Sequence, residues 1–533
     1  MKKLGTLAII LTLAGITFVS LQGCKEKTTQ SASKGSSLGT TESAEPTSFK
    51  EVTSKLDAGG SLYMYLGTEQ WLKSLSAQVE KVHQMVAGLP EMDEKRQDVD
   101  NAFNVGNRLI KDSGLENISG IGLSSIAREP GFYRNKIVVH HYAGQGNGFI
   151  WSIFGKEPHE LDGLNLLPAN TAMAAFYDID AAEIWSVIQK QCEQSGFPQA
   201  QEFLKEFPQE FEKNAGMKWD DLVNSLGGEV GIVVTMDDSR MVRIPLPTQQ
   251  PVEMPEPAFM FVIKVKNDAI FNRIDALLKE KKAPGMVSSD QNGVHMRTVP
   301  FPLPVTVTLR PTVASGGGYL FISTTDGLVQ EALAVKGGKP GLKSTEEFKK
   351  LSRDIPLQGN QFAFLSQRFG KNVMKVQQQV LNSNGQMPAQ LKEFMESLNR
   401  PDKAAFTFAV GANTDEGWMT VANGNQGSGS LIAASAVVPA VMAGMALPAL
   451  AKAKARAQSI SCINNLRTIE SAKNQWAMEK SKPASAVPQW QDLQPYLING
   501  KTPTCPQGGH YNINAVSEMP TCSFPGHVLP KTL

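Results

Sequence analysis

Cysteine and histidine are scarce in this chain, five and seven among 533 residues. That is too few for a metal-dense protein. A charge excess is missing too. Basic side chains number 52 and acidic ones 51, so the electrostatic footprint of a nucleic-acid binder is absent. No GxSxG, HExxH, P-loop or paired CxxC occurs, so no catalytic motif stands out. What is present is 41% hydrophobic and 19% charged residues. That balance supports folded cores over disorder, in a length that suits about three domains.

The N-terminus reads as an address. Lys2 and Lys3 precede Leu4 to Leu21, which carry no charge, the pattern of a secretory signal. Leu21-Gln22-Gly23-Cys24 follows and resembles the lipobox of bacterial lipoproteins. The resemblance implies cleavage after residue 23 and acylation of Cys24. Acyl chains contribute about 0.8 kcal/mol per buried methylene, so several chains anchor firmly. Residues 24–57, rich in Ser, Gly and Thr, read as a flexible tether.

From 58 to 423 one local pattern recurs: a short apolar strand, a capping residue, then an amphipathic helix. Leu62 to Leu66 leads through Thr68 to Leu72, Leu75, Val79 and Val82. Ala172 to Tyr177 leads through Asp178 or Asp180 to Ile184, Ile188 and Cys192. Phe259 to Val265, Tyr319 to Ser323 and Phe362 to Leu365 lead likewise through Asn267, Thr325 and Ser366. The spacing puts each helix's apolar residues on one face, which needs a sheet to cover. Hairpins are predicted through Gly144 to Gly148, at Asp237-Asp238 and at Asn413 to Gly417. The fold class expected is α+β, with helices on one face of largely antiparallel sheets. A weak repeat suggests duplication: Gly114-Leu115 before Ile118, Gly120 and Gly122 echoes Gly216-Met217 before Leu222, Leu226, Gly228 and Gly231. The stretch from Leu167-Pro168-Ala169-Asn170-Thr171 through Leu226-Gly227-Gly228-Glu229-Val230 resembles an uncharacterised family of exported bacterial proteins. That resemblance implies an envelope location and no activity.

Candidate sites in this body read as structure. The glycine run at 144–148 lacks GxGxxG spacing, and Gly316-Gly317-Gly318 reads as a turn. Adjacent His140 and His141 on a strand point to opposite faces and cannot share a metal. Asp220-Asp221 reads as a helix start, and Pro245 to Pro257, with five prolines, as an exposed loop.

The C-terminal hundred residues say more. Gly424 to Ser430 is a Gly/Ser linker. Leu431 to Ala451 has no charge, long enough to span a bilayer. Eight of those 21 residues are alanine and two are proline, so insertion is expected to be marginal. Ile460, Ile463, Leu466, Ile469, Ala472 and Trp476 continue one apolar face, so a long helix is expected across 431–482, with a small head at 483–533. Ala446-Leu447-Pro448-Ala449-Leu450, then Cys462-Ile463-Asn464-Asn465-Leu466-Arg467 and Trp476-Ala477, resemble the type IV pilin and type II secretion pseudopilin family. Cys505-Pro506, Gly508-Gly509, Tyr511, Cys522-Ser523 and Pro525-Gly526-His527 resemble the small head of one pseudopilin subgroup. The resemblance implies a helix that anchors and packs subunits, with an exported head. Aligned on Pro448, the family's cleavage-site glycine falls on Gln426 and its acidic fifth residue on Leu431. Processing by prepilin peptidase is therefore not expected.

Cys505 and Cys522 are expected to form a disulfide, because they are close in sequence and a small head has little core. Closing a loop of about 18 residues contributes roughly 3 kcal/mol in the chain-entropy model. The rival is a zinc site of Cys505, Cys522, His510 and His527, which lacks a CxxC knuckle. Cys192 and Cys462 read as buried thiols on helix faces. The function expected is that of a non-enzymatic, lipid-anchored envelope protein, exposed to the periplasm or cell surface, with no cofactor. Its partners are the membrane, through Cys24 and the 431–451 helix, and pilin or secretion-system proteins or further copies of itself. The alternatives are a ligand-binding or sensing lipoprotein and, further off, an envelope hydrolase.

Overall fold

The computed structural model describes residues 47–88, 96–244, 252–300, 308–383, 404–427, 459, 462–497, 500, 502–506 and 508–529. Residues 1–46, which include the expected signal peptide and Cys24, the end of the expected Gly/Ser linker and the segment 431–451 lie outside them. Among the described residues no helix is long and apolar enough to cross a membrane. They form two compact units, 47–427 and 459–529.

The larger unit holds strands β1 (Leu62–Gly67), β2 (Gly120–Glu129), β3 (Phe132–His140), β4 (His159–Glu160), β5 (Thr171–Asp178), β6 (Leu226–Ile244) and β7 (Val252–Val265). It continues with β8 (Val287–Gln291), β9 (Val294–Thr298), β10 (Thr312–Gly316), β11 (Tyr319–Ser323), β12 (Gln358–Gly359), β13 (Gln361–Leu365), β14 (Thr407–Thr414) and β15 (Gly417–Gly424). Thirteen of them make one sheet in the order β1-β2-β3-β15-β14-β13-β5-β6-β7-β11-β10-β9-β8, while β4 pairs with β12. Every pairing among the described residues is antiparallel. With its helices this is the α+β class that the sequence predicts.

Four of the strand-then-cap-then-helix units form where the pattern puts them; after β1 the expected helix is split into Glu69–Leu72 and Leu75–Ala87, and Val82 is exposed. β5, β7, β11 and β13 each run into a helix: Ala181–Glu193, Ala269–Glu280, Asp326–Lys336 and Gln367–Ser383. Asp180 accepts from the Glu183 amide at 2.9 Å, Thr325 from Leu328 at 3.3 Å and Ser366 from Phe369 at 3.1 Å. Each bond satisfies an amide that the first helical turn would leave unpaired. Thr68 departs from the rule, since its hydroxyl donates to the Ile118 carbonyl at 2.6 Å, joining the end of β1 to the start of β2.

Helices cover both faces of the sheet, where one face was expected. Leu320 and Phe321 are neighbours in β11, so their side chains point to opposite faces, yet they are only 1% and 0% exposed. Leu320 packs with Val313, Phe271, Ile270 and Ile274 under helix Ala269–Glu280. Phe321 joins Met260, Val262, Leu328, Val329 and Ala332 under helix Asp326–Lys336. The central strands carry apolar residues on both faces, and a one-sided layer would leave half of them in water. The same core includes Phe176 stacked on Phe362, with ring centroids 5.0 Å apart.

Local expectations fared unevenly. The hairpin at Asn413 to Gly417 joins β14 to β15, and Gly317 and Gly318 turn β10 into β11. No hairpin forms through 144–148: Phe149–Trp151 is a 3₁₀ turn, and β3 pairs instead with β2 around Pro130 and Gly131 (φ +71°). Asp237-Asp238 is no turn either. β6 continues past it, and the register against β7 shifts between Asp237 and Met241, a bulge. Pro255 and Pro257 belong to β7, so the loop predicted over Pro245 to Pro257 ends in a strand; 245–251 lie outside the described residues. The body also begins earlier than 58. Phe49–Ser54 is a helix whose Val52 packs with Leu56 and Val138. A Cβ on Gly122 would meet Val52 Cγ1 at 2.5 Å, so that close approach requires glycine in the strand.

The smaller unit has a helix over 462–479, helix Trp490–Leu493, and two short paired strands, β16 (Tyr511–Asn512) and β17 (Thr521–Cys522). Ile469, Ala472, Trp476 and Ala477 face Leu493, Leu497 and Ile513. Ile469, Ala472 and Trp476 belong to the apolar face predicted from sequence. Of the long helix expected over 431–482, only this part lies within the described residues.

Candidate functional sites

In the smaller unit the disulfide expected between Cys505 and Cys522 is absent; no sulfur–sulfur bond joins them. The reason is a four-way convergence. Sγ of Cys462, Cys505 and Cys522 and a ring nitrogen of His527 all lie within 4.8 Å of one another. Cys505 Sγ is 3.5 Å from His527 Nδ1, and Cys522 Sγ is 3.9 Å from it. Cys462, Cys505 and His527 are buried and Cys522 is half-buried.

Each ligand atom is placed by local chemistry. Cys462 begins the described part of the helix 462–479, where Tyr511 donates its hydroxyl to Sγ at 3.3 Å. One turn on, Asn465 donates to the Thr504 carbonyl at 3.0 Å and to the Tyr511 hydroxyl at 3.1 Å, which ties the Cys505 loop to the helix. Cys505 opens a tight turn closed by the Gly508 amide on its carbonyl at 3.0 Å. Cys522 ends β17 opposite Tyr511, and its sulfur accepts the Phe524 amide at 3.4 Å. Burial pushes the Cys462 thiol up to about 12. His510, which the sequence offered as a ligand, is exposed and instead pairs its backbone with Ser523. Cys462 takes its place. The signal for it was arithmetic: besides Cys505 and Cys522, this unit contains just one more cysteine.

The larger unit holds a cleft of about 420 Å³ beside β5, β6 and β7, lined by charged and apolar residues together. His159 Nε2 lies 2.8 Å from Asp178 Oδ2, and Nδ1 is 2.8 Å from the Glu160 carbonyl. Asn360 donates to the same Asp178 oxygen at 3.0 Å. Burial opposes the charged form of His159, but the Glu160 carbonyl and Asp178 outweigh it and raise the pKa. On β6, opposite Asp178 in the ladder, Glu229 accepts from Tyr319 at 3.1 Å. Burial raises the Glu229 carboxyl above its usual range, against the pull of Lys264. Glu229 is the acid of the Leu-Gly-Gly-Glu-Val stretch, and the register of β6 on β7 shifts between Leu226 and Val230. Ser152 lines the cleft, with its hydroxyl donated to the Phe149 carbonyl at 3.2 Å. The geometry is that of a charged binding recess with a histidine–carboxylate pair.

The remaining candidates are structural. His140 is buried, its Nδ1 2.6 Å from the Ser119 hydroxyl, and its pKa is lowered by burial. His141 packs edge-on to Trp151. Asp220 and Asp221 open helix Trp219–Ser225. Asp237 accepts from Ser239 at the bulge. The chain matches no protein-family model, no curated protein and no solved structure.

Proposed function

We propose that this is a non-enzymatic, lipid-anchored envelope protein, held at the membrane through Cys24 and exposed to the periplasm or cell surface. Its pilin-like C-terminal region serves assembly or contact with a secretion or pilus system. The observation that carries this reading is the helix 462–479. Its apolar face is packed on a small head, and the charge-free segment 431–451 lies just upstream. That is the order of parts implied by the resemblance to pseudopilins. The Leu21-Gln22-Gly23-Cys24 stretch and the polar residues after it support the anchor. The test is recovery of partners from solubilised membranes by the full chain and by a chain lacking 431–451. Loss of specific partners, with lipid attachment kept, supports the reading; identical partner sets contradict it.

A second reading is favoured by the cleft at His159, Asp178 and Glu229. Its size and mixed charge suit a small polar ligand, which would make the body a ligand-binding or sensing module.

A further inference from the structure

We propose that Cys462, Cys505, Cys522 and His527 bind one zinc ion, and that the metal fastens the helix 462–479 to the loops of the small head. This goes beyond the membrane-tethered reading, which stands or falls separately.

The geometry is that of a tetrahedral site. Zinc–sulfur bonds of about 2.3 Å and zinc–nitrogen bonds of about 2.0 Å, at tetrahedral angles, put sulfurs about 3.8 Å apart and sulfur about 3.6 Å from nitrogen. The four ligand atoms lie within 4.8 Å of one another, and the two sulfur–nitrogen separations are 3.5 and 3.9 Å. A disulfide needs sulfurs about 2.05 Å apart, and no pair here is bonded. Three thiolates and one imidazole form a ligand set that selects zinc over the oxygen-seeking cations.

The surroundings fit a thiolate centre. The Tyr511 hydroxyl and the Phe524 amide each donate to a cysteine sulfur, at 3.3 and 3.4 Å. Such donors stabilise metal-bound sulfur and orient it. Gly509 leaves the room required: a Cβ there would stand 2.7 Å from Cys522 Sγ and 3.0 Å from Phe524 Cβ. Four protein ligands, three of them on buried residues, close the coordination sphere. That is the arrangement of a structural zinc rather than a catalytic one, which keeps an open position. The ligands come from three places in the chain: the helix, the turn after Thr504, and the segment from β17 to His527. Their union therefore couples metal binding to folding of the head.

The experiment uses the full-length protein, purified without chelator from whichever cell fraction holds it, with detergent throughout. It is expected to contain one equivalent of zinc per chain. Cobalt(II) in place of zinc should give intense visible bands and a sulfur-to-cobalt charge-transfer band. Cys462→Ser should lose the equivalent of zinc. Because that variant can unfold the head, His527→Cys is its companion. It keeps four ligands, so it should keep zinc and move the cobalt bands to those of a four-thiolate site. Absence of zinc and of cobalt bands from the reduced wild type overturns the proposal. So does a Cys505–Cys522 disulfide in the protein as isolated, or a full equivalent of zinc in Cys462→Ser.

Discussion

The ammonium of Lys473, on a side chain with no exposed surface, lies 3.0 Å from Glu470 Oε2 and 3.3 Å from the Ile513 carbonyl. It also donates to the Glu518 carbonyl. A buried charge costs heavily unless it is paired and hydrogen-bonded, and these contacts meet that condition while joining the helix to the strand-bearing loops. Lys473→Met should leave two carbonyls without their donor. It should destabilise the smaller unit by about 2–4 kcal/mol. Hydrogen exchange across 462–529 in the full chain reads this directly; protection equal to wild type would show that the ammonium contributes nothing.

The two-sided cover of the sheet predicts a pattern of core substitutions. Leu320→Ala and Phe321→Ala should each cost about 2–5 kcal/mol, although the residues face opposite ways. Ile322, two residues on and so on the same face as Leu320 but 43% exposed, should cost under about 1 kcal/mol when changed to Ala. Denaturant unfolding of the three variants decides it. A small cost for either Leu320 or Phe321 would mean that one face is open.

Glu229 and His159 each make a contribution to stability that falls as pH rises. Glu229 has a raised pKa in the folded state because it is buried. The folded chain therefore holds that proton to higher pH than the unfolded chain does. The contribution is complete below the ordinary carboxyl value of about 4.3 and is lost as pH climbs through the raised one. His159, raised despite burial, adds a loss of the same sign above about pH 6.5. Glu229→Gln should flatten the first part of the decline and, because the Glu229 charge helps to raise His159, reduce the second slightly. Thermal melts from about pH 4 to 8 test this; an unchanged slope in the variant would remove Glu229 from the account.

Acylation at Cys24 is the sharpest consequence of the N-terminal sequence. A fatty-acid analogue fed to cells should label the wild type, and Cys24→Ala should lose that label. Equal labelling of both would remove the anchor.

Much of the body was legible because its rules are local. β5, β11 and β13 announce themselves by apolar runs ending in Asp180, Thr325 or Ser366, and each cap forms within three residues. The hairpin at Asn413 to Gly417 is likewise a matter of neighbouring residues. What was missed depends on partners far away in sequence. Asp237-Asp238 looks like a turn until β7 lies alongside and absorbs it as a bulge. Phe49–Ser54 looks like tether until Gly122 and Val138 offer a seat for Val52. In the head, proximity in sequence favoured Cys505 with Cys522. The packing of Asn465 on Thr504 and Tyr511 brought in Cys462 as a third thiol.

X-ray absorption at the zinc edge of the full-length protein tests the metal centre most directly. Three sulfurs at about 2.3 Å and one nitrogen at about 2.0 Å are expected. A zinc shell of nitrogen and oxygen alone, or a protein that holds no zinc while its thiols are reduced, would contradict it.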